Sequence, residues 1–167
     1  MVFLKTERLI LRNVISEDAA IMYDYRNDSR CAKYQRGQTK DLEGIRALVE
    51  RRKADQLTDQ ENCLVAGTLK DGTMGGESVV MPNDGCFSLG YTFHYAHHRR
   101  GYGFEALSAL TEHLHSRYPE MEFISFTEPQ NVASRRLLEK LGYKDLGYIE
   151  SLTSQMYGKW VKEDPTS

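Results

Sequence analysis

Residues 86–107, CFSLGYTFHYAHHRRGYGFEAL, pass from an alternating strand through a glycine-punctuated turn into an amphipathic helix. Phe87, Leu89, Tyr91 and Phe93 fall on one side of that strand, Ser88, Gly90, Thr92 and His94 on the other. In the helix, Leu107, Leu110 and Leu114 form an apolar stripe, while Glu105, Ser108, Glu112 and His115 point away from it. A strand that turns through glycines into a helix start leaves several backbone N–H groups without partners. Those donors, with the positive end of the helix dipole, make a site for phosphate. Gly101 and Gly103 allow close backbone approach, and Arg99 and Arg100 add charge. A tight turn alone would account for the glycines but not for the arginines beside them.

Upstream, Arg8–Val14 reads as a first strand, and Ser16-Glu17-Asp18 caps a helix running to about Asn27. Residues 27–38 are polar and irregular, with Arg30, Lys33, Tyr34 and Arg36. Thr39 caps a second helix on the stripe Leu42, Ile45, Leu48 and Val49. Three strands joined by tight turns follow, over 62–69, 74–81 and 86–94, with Lys70-Asp71-Gly72 and Pro82-Asn83-Asp84-Gly85 between them. Downstream, Met121–Thr127 suits an interior parallel strand, and a helix over 131–141 stops at Gly142. Strands over about 143–150 and 153–161 precede a polar tail at about 162–167. The expected architecture is an α/β (α+β) single domain over 1–167. Its mixed, mostly antiparallel sheet has about seven strands, flanked by about four helices.

Composition narrows the function classes. The 167 residues fit one domain, 40% apolar and 28% charged, as in soluble globular proteins. Lys and Arg number 22 against 24 Asp and Glu, so no basic footprint for nucleic acid exists. Cys31, Cys63 and Cys86 form no metal or redox spacing and read as free thiols in a reducing, cytoplasmic compartment. No apolar run approaches bilayer length. His94, His97 and His98 lie too close along one segment to converge on a metal without further ligands, so no metal is expected.

Gly101, Gly103 and Ala106 satisfy the GxGxxA dinucleotide pattern, with an acid, Glu122, at about the ribose-binding distance. The context is wrong: four strands precede the loop, three of them joined by hairpins, and one crossover follows. The chain instead resembles the GNAT superfamily of acyl-CoA-dependent N-acyltransferases, nearest its RimJ/RimL branch of ribosomal-protein N-terminal acetyltransferases. LKTERLILRNVISEDA (4–19) is similar to the family's opening, LGYTFHYAHHRRGYGFEAL (89–107) to its pyrophosphate motif, and NVASRRLLEKLGY (131–143) to its second cofactor motif.

The resemblance implies an acetyl-CoA-dependent N-acetyltransferase in which a primary amine, a protein N-terminus or a small molecule, attacks the thioester directly. It implies a cofactor cleft where strands four and five (86–94 and 121–127) splay apart. Phe93, His98, Arg99, Arg100, Gly101, Tyr102, Gly103 and Phe104 would then hold acetyl-CoA, with Asn131 and Ser134. His98 departs from the Gln or Arg usual at its position. Asn131 suits either of two jobs, helix N-cap or partner of the pantetheine arm. The tyrosine that protonates the departing thiolate in many members is replaced by Leu138. In the RimJ/RimL branch a serine at the Ser134 position takes that role; first-turn backbone bonding is the plain alternative. For the general base, Glu77, Glu128 and Glu150 are the possible carboxylates; the spacing at which the branch sometimes carries a glutamate between its last strands falls on Thr153, with Glu150 close by, so the sequence assigns no base. An acyl-CoA-binding sensor without turnover is the alternative reading. A homodimer is compatible with the sequence, though no pattern specifies one.

Overall fold

The computed structural model describes residues 1–162, so most of the expected polar tail lies outside the described residues. The strand at the head of the decisive segment forms as β5 (Cys86–Phe93). Before it come β1 (Val2–Lys5), β2 (Leu9–Asn13), α1 (Ala19–Arg26), α2 (Ser29–Ala32), α3 (Leu42–Arg52), β3 (Cys63–Leu69) and β4 (Met74–Asn83). After it come α4 (Tyr102–Arg117), β6 (Glu122–Thr127), α5 (Val132–Lys140), β7 (Lys144–Ile149) and β8 (Ser154–Lys159). The eight strands lie in one sheet, in the order β1-β2-β3-β4-β5-β6-β8-β7.

Two elements exceed the expectation. β1 is a four-residue edge strand paired only with β2, too short to show a period. α2 is a single turn inside the polar stretch, capped by Asp28, whose carboxylate accepts from Arg30 N–H. Two caps also differ. Asp41, not Thr39, caps α3 by accepting from Gly44 N–H at 2.8 Å. Ser16–Asp18 forms a 3-10 turn, and Asp18 accepts from Ile15 N–H while Arg12 grips its carboxylate with two N–H donors.

Helices cover both faces, which is why β3 is buried along nearly its whole length instead of alternating. Leu9, Leu11, Val65, Phe87 and Phe123 pack beneath α4 and α5 with Leu107, Leu110, Leu114 and Leu138. Val14, Met22, Tyr25, Ile45, Val49 and Ala66 fill the opposite layer under α1 and α3.

Every strand pair is antiparallel except β5 with β6, where the register holds only for Cys86↔Glu122 and Phe87↔Phe123. Beyond Phe87 the two strands part. β6 finds its other partner in β8, and β5 keeps β4 along its full length. The result is a V whose β5 arm carries backbone groups with no ladder to join. This splay, where strands four and five of the sequence reading stand, positions the site.

Candidate active site

The turn between β5 and α4 contains two left-handed residues, Arg99 (φ 64) and Gly101 (φ 80). Glycine adopts that conformation freely; arginine does so at a cost of about 1 kcal/mol or more. α4 then starts from Gly101 without a side-chain cap, and its first internal bond runs from Glu105 N–H to Gly101 O. The N–H groups of Gly101, Tyr102, Gly103 and Phe104 therefore have no helical acceptor. Arg99 and Arg100 are exposed beside them. Four outward donors, a helix dipole and two cations favour an anion there.

The loop is held from behind by a residue set the sequence reading left unassigned. Glu105 accepts from Thr6 Oγ1 at 2.5 Å, Arg8 N–H at 2.8 Å and Arg8 Nε at 2.7 Å. Arg8 also donates to Arg100 O at 2.8 Å, and its guanidinium lies 4.3 Å from the centre of the Tyr102 ring. Thr6, Arg8 and Glu105 each belong to quoted motifs, but only the fold joins the first of those motifs to the second. An open groove of about 440 Å³ runs along this outer side of α4, lined in part by Arg8, Gly101, Phe104 and Lys140.

Gly103 proves to serve packing as well. A Cβ there would meet the Phe93 ring at 2.9 Å, so the missing side chain admits that ring under the first turn of α4. Phe93 in turn needs Gly76, where a Cβ would sit 2.7 Å from the same ring. His98 swings back onto β5, with Nε2 2.8 Å from Phe93 O. His94 faces Asp24 and His97 faces the Tyr102 ring, so the three histidines point to three different partners.

Across the V stands the start of α5. Asn131 Oδ1 accepts from Ser134 N–H at 3.2 Å, the N-cap role. Ser134 leaves the capping to Asn131. Its Oγ lies 2.6 Å from Tyr91 Oη on β5, so the two hydroxyls join the arms of the V. Leu138 is buried in the floor below them, with Leu89, Leu107 and Tyr143. Tyr91 carries a hydroxyl into the cleft that the alternating pattern could orient but not pair.

The three glutamates separate. Glu77 is buried, bound by Arg26 through Nε at 2.8 Å and Nη2 at 2.6 Å, and accepts from Tyr25 Oη at 2.8 Å. It is a structural ion pair in the opposite layer, and removing either partner would cost about 3–5 kcal/mol. Glu128, at the end of β6, is gripped by Arg36 Nε and Nη2 at 2.9 and 2.6 Å. Glu150 opens the 3-10 turn between β7 and β8, exposed and without a cation partner among the described residues. The segment 34–38 bridges the open end of the V. Gln35 Nε2 donates to Tyr91 O, Tyr34 Oη to Gln130 O, and Arg36 to the carbonyls of Leu152 and Thr153. It thus brings Glu128 and the turn bearing Glu150 to one arginine.

Burial pushes the Cys31 thiol up to about 11 and Cys63 up to about 12, and it raises Cys86 as well. Among the described residues no helix is long and apolar enough to cross a membrane.

This geometry agrees with comparisons to known proteins. Residues 8–144 match the family described as Acetyltransferase (GNAT) domain. The chain is 25% identical over 151 residues to the uncharacterized N-acetyltransferase YnaD of Bacillus subtilis, covering 87% of this chain and 84% of that protein. Its fold superimposes on a GNAT-family acetyltransferase from Bacillus anthracis with a TM-score of 0.79, at 22% identity over 93% of this chain and 95% of the other. RimL, the ribosomal L7/L12 alpha-N-protein acetyltransferase solved with coenzyme A, shares the fold at a TM-score of 0.78 and 14% identity, over 95% and 97% of the chains. A splayed β5–β6 pair, an uncapped helix start at its mouth and a family match spanning both arms lead to one assignment: the chain belongs to the GNAT acetyltransferase family and is an acyltransferase.

Proposed function

We propose that this protein transfers an acetyl group from acetyl-CoA to a primary amine, either a protein N-terminus or a small amine, by direct attack on the thioester. One observation carries the reading: α4 starts without a side-chain cap just after β5 parts from β6, and Ser134 at the start of α5 meets β5 through Tyr91 Oη. In this reading the amides of residues 99–104 hold the diphosphate, flanked by Arg99 and Arg100, and His98 adds a further polar group. The groove beside Arg8 and Lys140 gives room for the nucleotide end. The pantetheine arm runs along β5 past Phe93, and Asn131 can offer it the Nδ2 donor that capping leaves free.

Direct attack requires a neutral amine. At pKa near 10 only about one amine in a thousand is neutral at pH 7, a deficit of about 4 kcal/mol that a base or desolvation must meet. Of the three glutamates considered, Glu150 is the one without an arginine, which supports it as the base. Ser134 supplies the hydrogen to the departing sulfur. With every thiol pushed up by burial, none is suited to carry the acyl group. Three free cysteines also suit a reducing, cytoplasmic setting. The test is release of CoA thiol from acetyl-CoA by the purified protein against a panel of amines and N-terminal peptides. Acceptor-dependent release is expected. Tight CoA binding with no release across the panel would replace this reading with an acyl-CoA sensor.

A further inference from the structure

Two phenols share the floor of the V. Tyr143 is buried within the core, beside Ser125. Tyr91 Oη instead lies 2.6 Å from Ser134 Oγ, across the cleft between β5 and α5. Ser134 sits in the first turn of α5, where a serine commonly accepts from a free backbone N–H. Here its Oγ meets no backbone N–H or carbonyl among the described residues, and Tyr91 is its partner. A hydroxyl–hydroxyl pair leaves one hydrogen between the two oxygens and one directed elsewhere, so the direction of donation decides what the pair can do.

A phenol is the stronger acid and hence the stronger donor, which places the shared hydrogen on Tyr91. Burial raises the Tyr91 pKa above its ordinary value, against a smaller lowering from Ser134, and so keeps the phenol protonated. Ser134 then accepts from Tyr91, and its own O–H is free to point along the V. Donation into its oxygen also polarises that O–H, as chains of hydrogen bonds do.

We propose that Tyr91 is a positioning residue for thiol release, donating to Ser134 Oγ and thereby aiming the serine hydrogen at the sulfur of CoA. This rests on the acetyl-transfer reading above. In the step it serves, the amine nitrogen forms the C–N bond and the C–S bond breaks, its electron pair passing to sulfur. The ammonium proton leaves to the base, and the sulfur receives a hydrogen bond from Ser134, then a proton through it that solvent restores. Tyr91 keeps its proton throughout, and its contribution is the direction and strength of the serine donor. Leu89, Leu107 and Leu138 line the floor beneath the pair together with Thr111, Ser125 and Tyr143, and the Ser134 hydroxyl is the one that the first turn of α5 brings to Tyr91.

The experiment needs neither acceptor nor turnover. CoA alone is bound to wild type, Tyr91→Phe, Ser134→Ala and the double variant. The thiol pKa of bound CoA is then read from the ultraviolet thiolate band, as the difference from the desulfo-CoA complex. In the wild type a bound thiol pKa below that of free CoA is expected. Tyr91→Phe and Ser134→Ala should each raise it by about one unit, tenfold in the acid constant, and the double variant no further. Affinity for desulfo-CoA should change less than about twofold in Tyr91→Phe, because the ring and its packing remain. Additive shifts in the double variant, or a Tyr91→Phe pKa equal to wild type, would overturn the proposal while leaving acetyl transfer intact. Failure of the wild type to bind CoA would overturn both.

Discussion

The Tyr91–Ser134 contact shows what a single residue can and cannot reveal in the sequence. Ser134 was legible because it sits at a fixed place in a motif that begins with Asn131. Tyr91 was legible only as a member of the apolar face of its strand. Its partner lies 43 positions away, on an element whose placement depends on the crossover through α4. The same holds for Glu77, which from sequence was one carboxylate among three and in the fold is locked to Arg26. With Cys31 pushed up to about 11, about one thiol in a thousand is ionised at pH 8. Iodoacetamide at that pH should therefore leave Cys31 and Cys63 unmodified while it consumes a free thiol, with labelling of Cys31 rising only as the pH approaches 11. Rapid labelling of Cys31 at pH 8 would contradict the burial described here.

Among elements, the start of α4 is the one on which the proposed function rests most. Its glycines and arginines could be read as an anion turn, because helix ends and left-handed residues leave local signatures. The clamp behind it could not. Thr6 and Arg8 lie 99 and 97 positions from Glu105, and no periodicity connects them. Local signals also misplaced a cap, since Thr39 and Asp41 both suit the role and only the helix's true first turn chooses Asp41. Burial alone would raise the Glu105 pKa, but hydrogen bonds from Thr6 and Arg8 outweigh it and hold the carboxylate below its ordinary value. A depressed carboxylate contributes stability that is present above its unfolded pKa and lost as pH falls through the folded one. The clamp should thus hold at neutral pH and loosen below the ordinary glutamate range of about 4.3. Glu105→Gln should weaken CoA binding by about tenfold at pH 7 and flatten the loss of affinity on acidification. Calorimetric titration across that range checks both, and wild-type affinity in the variant would remove the clamp from the site.

For the whole molecule, the class of fold was readable from order alone: hairpin strands, one crossover, a helix and a closing hairpin. The order of the sheet at its far end was less so, because β8 inserts between β6 and β7 and the sequence has no signal for insertion. β1 escaped notice for a related reason, since a short edge strand derives its identity from β2 rather than from its own pattern. The architecture matters through one consequence. β5 and β6 pair for two residues and then separate, so the β5 edge, the head of α4 and the start of α5 converge on one cleft. The proposed transfer depends on the uncapped amides at that cleft receiving the diphosphate of CoA. Nitrogen-15-edited NMR during a CoA titration addresses this directly. The amide resonances of Gly101, Tyr102, Gly103 and Phe104 should shift downfield together and saturate with one affinity. Saturable CoA binding that leaves those four resonances in place would contradict it.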